Sequence, residues 1–536
     1  MNEHKNLIKG TLILAIANVI AKILGALFKI PITYILKEEG MAIFNTASSV
    51  YSVFLTLVIS GIPLATSRLI ASDTALKKDA DVIKTVKASK FLLMILGGFA
   101  SIILFLLSEP LAIAMKDPSA APAIKIISPS VFFVAWGTAY KSYFQGTGRM
   151  TPTAVSQVVE AILRLSVGYF LAVMFINSGL GVPSAAAISG VTFGEIIATL
   201  LLGIIYFFIR TKPETQSQLR YKNIYSSIMA VAIPMFICSV TLSALNMIDM
   251  ATVRNQLLKI NFTPETAESF LLKYSSYTTL FDNLFQELKF SPQAARWLYG
   301  AYSGYALTVF HLPIGMIATL CVSILPLVSG NLAKSNLKAV RSSCSTAINL
   351  TLFCAVPCCI LFYSSSEIIL KLLFKNTASA HMLSLVSPCL IFICLAQLFT
   401  SIFHAAGKIY EPFKIQLAGI LLKLLGNIVL VRIPALNIDG AIISSIISFA
   451  FITIAEGFML HKTFGIIYPP KEIIPPFFAG IPMYMVLKLT YPPMCIIFPE
   501  PIIAFSISVF TSAITYLLTV SLFTPDGTLL FIKKKE

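Results

Sequence analysis

The sequence predicts an all-α polytopic membrane protein, on three observations. Hydrophobic side chains make up 57% of the 536 residues, only 12% are charged, and the mean hydropathy is +0.85. Soluble domains run near 25% charged, so a chain of this length has too few polar residues to cover its cores in water. Apolar stretches of about 20 residues, the length that crosses roughly 30 Å of hydrocarbon, recur from end to end. The chain also repeats itself at a fixed spacing, which points to two related lobes.

Fourteen stretches meet the length requirement: 11–36, 41–70, 91–115, 123–147, 153–177, 183–209, 224–252, 298–329, 343–372, 381–407, 411–433, 438–460, 473–490 and 496–523. The first is too long for a signal-peptide core and no small-residue cleavage site follows it, so it is expected to stay attached. An even number of crossings puts both termini on one side of the membrane. The Lys and Arg of the connecting segments concentrate on that side, as in the loop carrying Lys77, Lys78, Lys84 and Lys87, at Lys141, and in the tail Lys533, Lys534, Lys535. Cationic loops stay in the cytoplasm, so both termini are expected there, with the 253–297 segment outside.

The repeat is read from Pro129, Gly148, Arg149, Gln157 and Arg164, which recur as Pro388, Gly407, Lys408, Gln416 and Lys423, every pair 259 positions apart. Ser60, Pro63 and Leu64 are matched by Ser323, Pro326 and Leu327. Two six-helix lobes follow, at 1–222 and 223–462, with an insertion at 253–297 in the second and two further helices in 463–536. Each half crosses an even number of times, so the repeats are parallel, related by an axis along the membrane normal.

Several function classes are excluded or weakened. The net charge of +16 lacks the clustered cations and stacking aromatics of a nucleic-acid face. The nine cysteines lie mostly in apolar runs without zinc-site spacing and read as buried thiols; no metal site is expected. Asp79 and Asp81 have the spacing of a glycosyltransferase metal motif but sit in a lysine-crowded loop, and Gly146-Thr-Gly148 lacks the strand and third glycine of a dinucleotide site. The 253–297 insertion offers Glu265, Glu268, Asp282 and Glu287 without a catalytic arrangement. The chain is therefore expected to be no enzyme and to carry no cofactor, drawing on a coupling cation, the membrane potential or substrate supply.

Charges inside a membrane cost about 2.5–3.5 kcal/mol each on insertion scales, which makes them functional candidates. Four cations qualify: Lys22, Lys29, Arg164 and Lys423. Asn18, Lys22 and Lys29 share a narrow stripe of the first helix. Glu160 and Arg164 stand four residues apart, either as a lobe-stabilising pair or as an acid orienting a cavity-facing cation. Lys423 repeats Arg164, but Gly419 stands where its acid would be. Glu195, mid-way along the sixth span, is read first as a supporting partner for Lys423 and otherwise as a proton or cation site. Asn45, Ser49 and Ser52, continued by Thr56 and Ser60, form a small polar stripe that either packs against a neighbouring helix or lines a wet path.

The run from Tyr143 to Arg164, with Gly146-Thr-Gly-Arg-Met-Thr-Pro at its turn, resembles the stage V sporulation protein B-like branch of polysaccharide transporters. Ala21-Lys22-Ile-Leu-Gly25 is similar to the first-helix motif of the MurJ (MviN)-type lipid II flippases. The resemblance covers most of the chain. It implies the multidrug/oligosaccharidyl-lipid/polysaccharide (MOP) exporter superfamily, whose flippases move undecaprenyl-linked sugars across the bacterial cytoplasmic membrane. It also implies a cationic central cavity for a lipid diphosphate, with Lys22 where the family places an arginine. Phe28, Phe54 and Leu55 stand where the better-known branch carries further arginines.

The expected function is a lipid II-like precursor flippase working by alternating access, its partners a lipid-linked oligosaccharide and membrane lipids, its state a monomer. Lys22, Lys29, Arg164 and Lys423 would hold the diphosphate, with Asn18, Glu160, Glu195, Asn45, Ser49 and Ser52 in support. The alternatives are export of another polysaccharide repeat unit, then cation-coupled drug export, for which an acidic cavity would be expected. A membrane glycosyltransferase is the reading from another class.

Overall fold

The computed structural model describes residues 2–76, 78–179, 181–210, 217, 219–273, 285–286, 289–315, 317, 328, 332, 336–408, 410–465 and 470–523. The side chains of 2–16, 18, 19, 22, 23 and 26, and of others within helices, lie outside the described set. Contacts divide the chain into two compact units, Met1–Asn255 and Gln256–Glu536.

In the first unit α1 (Asn2–Ile59) carries the first two predicted spans as one helix, broken where Lys37 takes φ 54°, ψ −165°. Pro31 lies within that helix without ending it. The second span is broken again at Gly61, φ 78°, beyond which Pro63 opens α2 (Ile62–Ala75). There follow α3 (Asp79–Leu106), α4 (Ser108–Ala114), α5 (Ala121–Gly146), α6 (Thr151–Met174), α7 (Val182–Ile209) and α8 (Tyr221–Leu257). Helices α2, α3, α5 and α7 are fastened together by Ile70, Val86, Tyr143, Phe144 and Leu202. Between α6 and α7 the backbones themselves meet: a Cβ on Gly190 would lie 2.6 Å from the Gly168 Cα, so only glycine permits this crossing. Thr192 and Thr199 of α7 donate to the carbonyls of Ile126 and Phe133 in α5 at 2.9 and 2.8 Å, placing polar side chains where lipid cannot compete.

In the second unit α9 (Pro264–Lys273), an antiparallel two-strand hairpin (Phe285–Gln286 with Lys289–Phe290) and α10 (Pro292–Ala301) belong to the predicted insertion. An aromatic cluster of Phe262, Phe270 and Phe290, with ring centroids 4.7–6.0 Å apart, joins α9 to the hairpin. After a π-helical turn at Tyr302–Ala306 come α11 (Leu337–Phe374), α12 (Ala380–Val386), α13 (Cys389–Ala405), α14 (Tyr410–Leu430) and α15 (Ile438–Phe464). The last two helices, α16 (Pro470–Ile497) and α17 (Pro501–Phe523), dock on α11 through Val356, Met483 and Tyr516, whose hydroxyl donates to the Phe353 carbonyl.

Among the described residues ten helices are long and apolar enough to cross a membrane, eleven if α12 and α13, bent by 46°, count as one span. The fourteen read from the sequence exceed this because α1 joins two of them, and because 224–252 has side chains, and 298–329 residues, outside the described set. Outward faces are apolar, as lipid requires: Phe207 and Phe208 are 64% and 79% exposed. Seven free cysteines are described, Cys344, Cys389 and Cys394 buried; Cys495, expected to be buried, is exposed.

The repeat has a matching local geometry. Gly148 and Gly407 both take φ 73°, and both close the same helix-ending turn, with Arg149 N on Phe144 O at 2.8 Å and Lys408 N on Phe403 O at 2.9 Å. Such a turn needs a left-handed residue, which is why glycine recurs. The prolines diverge: Pro129 lies inside continuous α5, while Pro388 marks the bend between α12 and α13.

Candidate functional site

Lys22 and Asn18 lie on α1, but their side chains are outside the described residues. Lys29, two turns further on, is partly buried, and among the described residues its ammonium has no hydrogen bond or ion pair. A cation held in a membrane helix without a counter-ion is the arrangement that an anionic ligand completes.

Arg164 does not stand alone. Its Nη2 donates to Glu160 Oε1, while the second oxygen of Glu160 lies 3.9 Å from Nζ of Lys141, on α5. The side chains of Lys141, Glu160 and Arg164 are 18%, 14% and 30% exposed. Glu195 of α7, 7% exposed, packs against Glu160 with Lys141 and Arg164 around it. Tyr51 of α1 reaches the same group, its hydroxyl bonded to Ser130. Two cations and two carboxylates thus share one buried cluster. Glu195, read from the sequence as a partner for Lys423, makes these contacts within its own unit. Lys141, counted from the sequence among the cytoplasmic loop cations, belongs to the cluster instead.

The small polar stripe of α1 turns largely onto its own helix. Ser52 Oγ donates to the Ser49 carbonyl at 2.8 Å and Thr56 Oγ1 to the Ser52 carbonyl at 2.7 Å, the back-bonding that keeps hydroxyls satisfied in lipid. The stripe meets α8 where Ser243 donates to Thr56 at 3.1 Å. Asn45 is partly buried and Ser52 exposed.

In the second unit Lys423 is partly buried on α14, near Cys389. One turn before it, Gly419 lets α14 close on Ile452 of α15. An acid that sequence reasoning missed lies here: Glu456, 0% exposed on α15. Its carboxylate accepts from Thr400 at 3.1 and 3.2 Å and from Gln416 at 3.3 Å. Gln416 also donates to Thr400 at 2.7 Å. The signal was present, since Glu456 follows Glu195 by 261 positions, close to the repeat spacing. By the 259 spacing Thr400 repeats Lys141, so the same three helices meet in both repeats with different chemistry.

Arg254 is a further correction. It was expected in the external loop, but α8 carries it into the first unit, where it is 3% exposed and its Nη2 lies 3.0 Å from Oδ2 of fully buried Asp117. Thr46 of α1 joins both, accepting from Arg254 at 3.0 Å and donating to Asp117 at 3.1 Å.

A two-unit chain of apolar helices with glycine-mediated crossings and paired charges inside its spans is a polytopic membrane protein, and the comparisons say which proteins it is similar to. A family model described as a polysaccharide biosynthesis protein matches residues 7–260, and one described as lipid II flippase MurJ matches residues 295–523. Stage V sporulation protein B of Bacillus subtilis (strain 168) is 24% identical over 474 residues, 87% of this chain and 85% of its own. Lipid II flippase MurJ of the same organism is 22% identical, covering 85% of this chain and 82% of its own. A MurJ structure in an inward closed conformation superposes with a TM-score of 0.67 at 17% identity, over 96% of this chain and 99% of that one. An inward-facing multidrug resistance transporter of the MATE family superposes at 0.64 and 13% identity, over 84% and 98%. The two halves of the chain thus match the polysaccharide biosynthesis and MurJ family models, and its fold is that of the MurJ and MATE structures.

Proposed function

We propose that this chain flips an undecaprenyl-diphosphate-linked cell-wall precursor, of the lipid II kind, across the bacterial cytoplasmic membrane by alternating access of its two lobes. The observation that carries this reading is Lys29, a cation inside the membrane with no described counter-ion, in a chain matched to flippase families. Lys22 and Lys423 extend the cationic set in this reading. Lys22, Lys29, Arg164 and Lys423 less Glu160 and Glu195 leave an excess of two positive charges, which Lys141 and Glu456, one of each sign, do not change. A diphosphate diester carries about two negative charges, so sign and size agree. A coupling cation or the membrane potential supplies the drive. A second reading, export of another lipid-linked polysaccharide unit, is favoured by the polysaccharide biosynthesis match over 7–260. Translocation by the purified chain in liposomes, with the head group as the variable, tests the first reading against the second.

The same reading places both termini in the cytoplasm, since cationic loops resist translocation. Thr263, exposed before α9, then faces outward and Ser72, exposed on α2, inward. An impermeant thiol reagent on intact cells is expected to label Thr263→Cys and to spare Ser72→Cys; the opposite pattern reverses the orientation.

A further inference from the structure

We infer that Lys141 is a positioning residue for anion binding: by sharing Glu160 with Arg164, it offsets that acid and keeps the positive charge of the guanidinium on offer to the substrate diphosphate. The inference rests on the functional reading above. Glu160 divides its two oxygens between two cations, Oε1 to Arg164 and Oε2 to Lys141 at 3.9 Å. That second distance is within ion-pair reach and beyond a hydrogen bond, so Lys141 balances the charge of Glu160 without occupying its lone pairs. Arg164 with Glu160 alone would present no net charge, and Lys141 adds one positive charge to the set that these two share with Glu195. The guanidinium also keeps capacity in hand, since its Nε is buried with no described hydrogen-bond partner and the side chain is 30% exposed.

The second repeat supplies an independent comparison. At the positions of Lys141, Glu160 and Arg164 it carries Thr400, Gly419 and Lys423. The acid and the extra cation are missing together, and the remaining set again sums to one positive charge. A lysine serving only to mark a cytoplasmic loop has no reason to be lost together with Glu160. Charge compensation requires that they go as a pair. The acids behind them, Glu195 and Glu456, are present in both repeats.

The test is a titration of the full chain in lipid nanodiscs with undecaprenyl diphosphate. Lys141→Gln is expected to weaken binding by roughly tenfold, the equivalent of about 1.4 kcal/mol, and Lys141→Arg to bind as the wild type does. Glu160→Gln added to Lys141→Gln is expected to restore affinity to within about twofold, because the pair is then removed as it is in the second repeat. A merely structural role predicts that the double variant is no better than the single one, and that result overturns the inference, as does wild-type affinity in Lys141→Gln. Should Lys141→Gln fold poorly, Lys141→Thr with Glu160→Gly, the arrangement of the second repeat, takes its place: wild-type affinity supports the inference and a tenfold loss overturns it. Absence of binding by the wild-type chain overturns the functional reading itself, which separates the two failures.

Discussion

Lys29→Glu is expected to abolish binding of undecaprenyl diphosphate, and Lys29→Gln to weaken it roughly tenfold to hundredfold, at unchanged abundance in the membrane. A charge-assisted hydrogen bond is worth about 1.5–3 kcal/mol, and water does little to screen it inside a membrane protein. Lys29 has no described counter-ion to inherit its role, and none is left stranded when it goes. Lys29→Arg is expected to keep the affinity, because the sign is kept. Arg164→Gln is a less clean experiment, since it removes the bonded partner of Glu160 and disturbs α6 as well as the charge. Titration of the purified variants, with size-exclusion profiles beside each, checks the order Lys29→Arg, Lys29→Gln, Lys29→Glu. Wild-type affinity in Lys29→Gln removes this residue from the site.

The largest loss of stability is expected at Arg254. Its pair with Asp117 is sealed from solvent, at 3% and 0% exposure, and is braced by Thr46. Removing one partner of a buried ion pair typically costs about 3–5 kcal/mol, because a carboxylate is left without its countercharge in a low dielectric. Replacing both partners by apolar residues of similar volume costs far less. Arg254→Ala is therefore expected to lower the thermal transition of the solubilised chain sharply, and Arg254→Met combined with Asp117→Leu to recover most of it. A transition in Arg254→Ala equal to that of the wild type contradicts the account of this pair.

Much of this architecture was legible in the sequence because lipid imposes a simple code. A span must be apolar over about 20 residues, and the predicted spans are mostly helix where their residues are described, with breaks such as Gly61 and Pro388. Glu160 and Arg164 were legible as a pair because four residues of helix place them on one face. The repeated Gly148 and Gly407 were legible because a left-handed turn leaves few other choices of residue.

The failures have equally physical causes. Lys141 reaches Glu160 from another helix, a contact no local spacing encodes, and its position near the end of an apolar run made it look like a loop cation. Arg254 was misplaced because hydropathy reports where a helix leaves the hydrocarbon, not where it ends. The 37 residues of α8 span about 55 Å, well beyond a bilayer core. Glu456 was missed because the repeat spacing drifts from 259 to 261 between Lys423 and Glu456, across the turn joining α14 to α15. The break at Lys37 has neither glycine nor proline at the residue itself, so no breaker announces it. Lys22 and Asn18 remain as the sequence left them, their side chains outside the described residues.

The central claim is that the chain moves a lipid-linked diphosphate from one leaflet to the other. The most direct measurement is the leaflet distribution of fluorescent lipid II in liposomes containing the purified chain, read by an impermeant quencher, with a membrane potential and then a cation gradient imposed. The account predicts translocation that Lys29→Glu abolishes, that Lys29→Arg retains, and that undecaprenyl monophosphate fails to inhibit where undecaprenyl diphosphate inhibits strongly. Equal rates in liposomes with wild type, with Lys29→Glu and without protein, under either gradient, would contradict it.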